Sequence, residues 1–217
     1  MPLPASDRSG LSVFVFELGL LVPSVIGGIG LFLAGRRFRL WWRVAAAVTF
    51  ALLAAGAGVL ALDAVFGALT GATAALIGVG FLGSFTFVAF VTACQAVTGP
   101  PGTGLAALAF VFIGNAVSGG TVPFAFLPDG FRQIAPWLPD GAIVSAARHV
   151  VYLPATDLGH PLLVLAIWLA GSLAVLACVD GLHLAERRRA PEREAEIYAT
   201  PGAAHLRRRL EHRRLPP

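Results

Sequence analysis

Residues 72–97 read ATAALIGVGFLGSFTFVAFVTACQAV, a run in which no side chain carries a charge. A helix crossing the ~30 Å hydrocarbon core of a bilayer needs about 20 such residues. Backbone groups in lipid must find their hydrogen bonds within the segment, so the run is expected to be an α-helix. It is continuously apolar and does not alternate with a period of two, which excludes a transmembrane β-strand.

Four further apolar stretches flank it. Residues 11–34 hold Glu17 as their one charge, and 44–69 hold Asp63. Residues 105–117 are short and bounded by glycine, and 161–182 end near Asp180 and His183. Thr70 and Gly71 alone separate the second stretch from the third, predicting a tight hairpin. Thr98-Gly-Pro-Pro-Gly-Thr-Gly104 separates the third from the fourth, and its prolines can continue neither helix. The fold expectation is all-α and polytopic, with about five transmembrane helices.

Composition agrees. Of 217 residues, 57% are hydrophobic, mean hydropathy is +0.78 and only 13% are charged, about half the share usual in a soluble domain. The 16 basic residues are all Arg, and the formal charge is +4. They sit at the ends of apolar runs and in the tail, so topology explains them and no nucleic-acid partner is expected. Arg36, Arg37, Arg39 and Arg43 lie between the first and second stretches, and nine more follow the fifth, from Arg187 to Arg214. Positively charged loops stay cytoplasmic. With five helices this puts the C-terminus in the cytoplasm and the N-terminus outside, in the plasma or inner membrane of a cell. Residues 1–183 form the membrane domain, and 184–217 a basic cytoplasmic tail, either disordered or a loose surface helix on anionic lipid. Residues 1–10 lack the basic start of a signal peptide, so no cleavage is expected. Cys94 and Cys178 read as small residues within apolar runs, without a disulfide.

Residues 114–153 are too apolar for a solvated loop and too broken by Pro and Gly for one spanning helix. Leu-Pro-Asp-Gly occurs twice, at 127–130 and 138–141. Each Pro-Asp-Gly predicts a turn whose Asp caps a following helix, one at 131–135 and one at 142–153, the second stopped by Pro154. The segment reads as a re-entrant or amphipathic hairpin at the outer face, with Trp137 and Tyr152 at headgroup level.

Candidate chemistry is sparse. Ser118 would need a basic partner to act as a nucleophile. The candidates are His149, His160 and His183, and the plainer reading is that Ser118 and its glycines let a helix end bend. Glu17, Asp63 and His160 would make an ion site near the outer face, but each lies near a helix end, where hydration is cheap. Asp180 and His183 read as an interfacial pair, since a metal site needs more ligands. No P-loop is present, so ATP hydrolysis by that route is not expected of this chain, and neither are a metal, a cofactor or catalytic residues.

Gly114-Asn115, Ser118-Gly119, Pro123, Leu127-Pro128, Phe131-Arg132, Leu138-Pro139, Arg148 and Tyr152 together resemble the membrane domain of type 2 ABC exporter permeases, in their phage-infection-protein-like branch. The resemblance covers nearly all of the membrane region and matches the last five of that family's usual six helices. The family's first helix and the extracellular region that follows it have no counterpart here, which fits a truncated product, half of a split protein or a relative that works without them. The resemblance implies export of a lipidic, peptidic or polymeric substrate by alternating access of a homodimer or heterodimer, driven by a separate cytoplasmic ABC ATPase. It further implies that Arg36, Arg37, Phe38, Arg39, Trp41, Trp42 and Arg43 form the loop that receives the ATPase. Gly114, Asn115, Ser118, Gly119, Pro123, Pro128, Phe131, Pro139, Arg148 and Tyr152 would form the outer gate. The alternative is a non-transporting scaffold or receptor of the cell envelope, which a lack of deeply buried charge would favour.

Overall fold

The computed structural model describes residues 11–35, 38–66, 73–152 and 157–199. Every regular element among them is helical: α1 (Ser12–Gly35), α2 (Leu40–Phe66), α3 (Thr73–Thr98), α4 (Gly102–Ala107), a π-helical turn at Leu108–Gly114, α5 (Asn115–Val117), α6 (Asp129–Ile134), α7 (Pro139–Tyr152) and α8 (Gly159–Ala199). Single 3₁₀ turns at Phe124–Phe126 and Ala135–Trp137 precede and follow α6. The chain is an all-α, multi-pass membrane protein.

Four of the described helices are long and apolar enough to cross a bilayer: Ser12–Gly35, Leu40–Ala61, Thr73–Thr98 and Gly159–Glu186. The expected fourth span instead belongs to a shorter apolar helix, Gly102–Val117. At 1.5 Å per residue it reaches about 24 Å, short of the core thickness. The second helix begins at Leu40 rather than at 44, because nothing in Trp-Trp-Arg breaks it. The hairpin helices also begin two or three residues earlier than expected, so Asp129 and Asp140 lie inside their first turns instead of capping them. Pro128 occupies the N-cap of α6 and makes no side-chain capping bond.

The structure divides into two compact units, Met1–Leu176 and Ala177–Pro217. In the second, helix continues to Ala199. Leu184–Ala199 is rich in Ala, Glu and Arg, all strong helix formers. Residues 70–71, 154 and 200–217 lie outside the described residues.

In the first unit α3 is the central helix. Of its spanning window 61% is buried, against 22% for α2, so α2 presents most of its surface to lipid. Small residues let the helices approach closely. A β-carbon on Gly80 would lie 3.1 Å from Phe16 of α1 and 3.2 Å from Ala55 of α2. Phe16, Leu20, Leu76, Phe87, Phe110, Ile143 and Leu165 join α1, α3, the π turn, α7 and α8 in one core. The hydroxyls of Thr86, Thr92 and Ser172 donate to the carbonyls four residues back, at 2.7–2.8 Å, so these polar groups cost little in an apolar bundle.

The turn into α4 follows its sequence. Gly99 adopts φ +75°, its N–H donates to the Gln95 carbonyl at 2.8 Å, and Gln95 Nε2 donates to Thr103 Oγ1 at 2.7 Å.

Candidate functional site

The helix running from Gly102 ends at Val117 in a buried hinge. Gly119 takes φ +78°, a left-handed conformation that L side chains resist. Ser118 is fully buried, and its Oγ accepts the Gly120 N–H at 3.2 Å. The Ser118 hydroxyl thus holds the turn, as the plainer reading expects. Arg148, eight residues along α7 from Asp140, reaches back to the hinge. Its Nη2 donates to the Gly119 carbonyl at 2.6 Å and, more loosely, to that of Gly120 at 3.4 Å. Burial lowers the Arg148 guanidinium below its usual value, although it stays protonated. At the far end of α7 the hydroxyls of Tyr152 and Ser12 of α1 share a hydrogen bond of 2.8 Å.

At the start of α7, ahead of both anchors, lies a pair of acids that the sequence reading did not join. Glu17 of α1 and Asp140 of α7 are both 0% exposed. Among the described residues no N–H or O–H group of another residue reaches any of their four carboxyl oxygens. The two carboxyls lie against each other, and they can hydrogen-bond only with a proton on one of them. Burial first, then the neighbouring Glu17, pushes the Asp140 carboxyl well above its ordinary value of 3.8. Gly114 makes the space: a β-carbon there would collide with the Asp140 carboxyl group.

The alternative that would group Glu17 with Asp63 and His160 is not what the structure forms. Asp63 is exposed near the end of α2, and His160 is exposed at the start of α8 with its ring 4.9 Å from that of Trp137. Glu17 is not a hydrated helix-end group, because α7 folds back over it. His183 pairs with Glu186 at 3.9 Å.

The remaining hairpin residues divide by environment. Pro139 is buried at the start of α7. Asn115 is half-buried, and Pro123 and Pro128 are exposed. Phe131 is exposed on α6, where Arg132 pairs with Asp129. The break between α6 and α7 lies alongside α8, since Trp168 Nε1 donates to the Trp137 carbonyl at 2.9 Å. Trp168 stands nine residues into α8, about 13 Å along its axis. The hairpin therefore packs down the side of the bundle.

The opposite end of α1 meets α2 in a tight corner. Phe38, Arg39, Trp41 and Trp42 are exposed, and the two indoles stack at 3.9 Å. The Arg43 side chain lies against Gly35. Arg36 and Arg37 lie outside the described residues. Glu17 and this corner are separated by about 27 Å of helix, interrupted by Pro23. Among the described residues no group of three or more His, Cys, Asp or Glu gathers where a metal ion could be held. No protein-family model, curated protein or solved structure matches the chain.

Proposed function

We propose that the chain is the membrane subunit of an exporter similar to the type 2 ABC permeases, working as a dimer with a separate cytoplasmic ATPase. One observation carries this reading. Helix α1 joins an exposed cationic and aromatic corner, Phe38 to Arg43, to a hairpin helix latched at Glu17 and Ser12. A push at the corner would be delivered along α1 to the α7 contact, where Gly119 and Arg148 form a ready hinge. The buried acid pair also removes the main argument for a passive scaffold. A lateral groove of about 480 Å³ between α3, α4 and α8, lined by Phe90, Val97, Leu105, Ile167 and Trp168, is almost wholly apolar. It favours a lipidic substrate over a peptidic or polymeric one.

The orientation belongs to the same proposal: N-terminus outside and C-terminus in the cytoplasm of the cell membrane. Impermeant thiol reagents should label a cysteine placed at Asp157 and spare one at Ala203, and the reverse pattern overturns the orientation. The coupling role is tested by co-purification with an ATPase. Replacing Arg36, Arg37 and Arg39 together by Ala should dissociate the complex. A complex that survives the replacement removes the corner from the mechanism.

A further inference from the structure

We propose that Glu17 and Asp140 form a proton-binding site that latches α7 to α1, in which one proton shared by the two carboxyls keeps the hairpin docked and its loss releases it.

The pair has the geometry of a binding site and lacks the partners of a structural one. The acids come from separate elements, both side chains are wholly buried, and none of their oxygens receives a hydrogen bond from another described residue. Val13, Phe16 and Ile143 belong to the apolar core around them. Two carboxylates in such a place would repel, and each would lose the hydration that stabilises its charge. With one proton between them, the same two groups make a strong charge-assisted bond.

Among the described residues no other charge is placed to relieve the pair: Arg43 of α2 lies against Gly35 at the far end of α1, and Asp63 of α2 and His160 of α8 are exposed. Helix α1 carries no second ionisable group, and α4, the π turn and α5 carry none. Helix α3 carries only Cys94, toward the end that leads into α4. On α7 itself, Arg148 is engaged with the Gly119 and Gly120 carbonyls and Tyr152 with Ser12. His149 lies almost opposite Asp140 around the helix, nine residues on. Asp129 and Arg132 of α6 pair with each other at the surface. A calcium ion would need six to eight oxygen ligands, which two carboxyls within apolar walls do not supply. The ligand that fits is a proton. Ionisation of both groups would leave two like charges facing each other across the α1–α7 contact, and that contact would open. This holds for the chain alone and does not depend on what the protein transports.

The test uses the full chain in detergent without an ATPase, with Cys94 and Cys178 replaced by Ser and a cysteine placed at the buried Ala146 of α7. Its maleimide labelling rate is divided, at each pH, by that of a cysteine placed at the exposed Gly130. The corrected rate should rise with pH by about tenfold per unit across the transition, as linkage to one proton requires. In the Glu17→Gln, Asp140→Asn double variant it should stay low and flat. A corrected rate indifferent to pH overturns the proposal, and so does an unchanged pH dependence in the double variant. A rate that responds to sodium at constant pH makes a metal cation the ligand and overturns it as well. Should the double variant aggregate, infrared spectroscopy of the parent chain decides. A protonated-carboxyl band at neutral pH that vanishes along with the labelling transition supports the site, and its absence at neutral pH overturns it.

Discussion

Arg148 and Gly119 meet across the hairpin, the Nη2 of the arginine donating to the glycine carbonyl at 2.6 Å. The contact ties the middle of α7 to the residue at which the preceding helix turns away. It depends on the left-handed backbone of Gly119 to present that carbonyl.

Replacing Arg148 by Ala should therefore loosen the hairpin without unfolding the bundle. The charge-assisted bonds are worth about 1.5–3 kcal/mol, and their loss should appear as faster proteolysis within residues 118–138. Arg148→Lys should recover part of the protection, since one ammonium can reach a carbonyl but lacks the guanidinium fork.

Gly114→Ala should undock α7, because the added carbon meets the Asp140 carboxyl group. Combining it with Asp140→Ala should be less damaging than the two separate losses of stability predict. Thermal unfolding of the four proteins measures that coupling, and simple additivity would refute the contact.

Two other glycines separate a clash that can relax from one that cannot. A β-carbon on Gly83 meets the flexible end of Ile143, whereas one on Gly102 meets the backbone of Cys94 and Gln95. Gly83→Ala should cost about 1–3 kcal/mol, as overpacking usually does, and Ile143→Val, which removes Cδ1 but keeps Cγ1, should relieve part of it. Gly102→Ala should sharply reduce the yield of folded protein, with no second-site side-chain change restoring it.

Stability should fall as pH rises. Asp140 holds its proton more tightly when folded than when unfolded, so the folded state gains from low pH. The gain is complete below the ordinary carboxyl value of 3.8 and is lost as pH climbs through the higher folded value. Melting temperatures measured across pH should show this decline, and Asp140→Asn should flatten it.

The sequence made the helices legible because lipid imposes one requirement on every residue of a span, and residues 72–97 satisfy it without exception. The hairpin was legible from its paired Leu-Pro-Asp-Gly turns, and the hinge from Ser118 and its glycines. The acid pair was not. Glu17 is the sole charge of α1 and stood out, but Asp140 looked like an ordinary turn residue. Only the return of α7 over α1 brings the two together, and no local pattern encodes that long-range contact. The tail left two readings open, disorder or a surface helix, because its charge and Pro191 work against the strong helix propensity of its Ala, Glu and Arg.

The π turn at Leu108–Gly114 has a consequence for sequence length. A π turn is an α-helix carrying one surplus residue. Deleting a single residue from 108–113 would let the helix become regular. The surplus residue is absorbed within the turn, so the residues beyond the deletion would keep their facing, and the glycine at 114 would stay on the face that accommodates Asp140. The fit between this helix and the acid on α7 therefore tolerates one residue fewer at this turn. A one-residue deletion here should be less damaging than one in the regular helix α3, where every residue beyond it would rotate by about 100°.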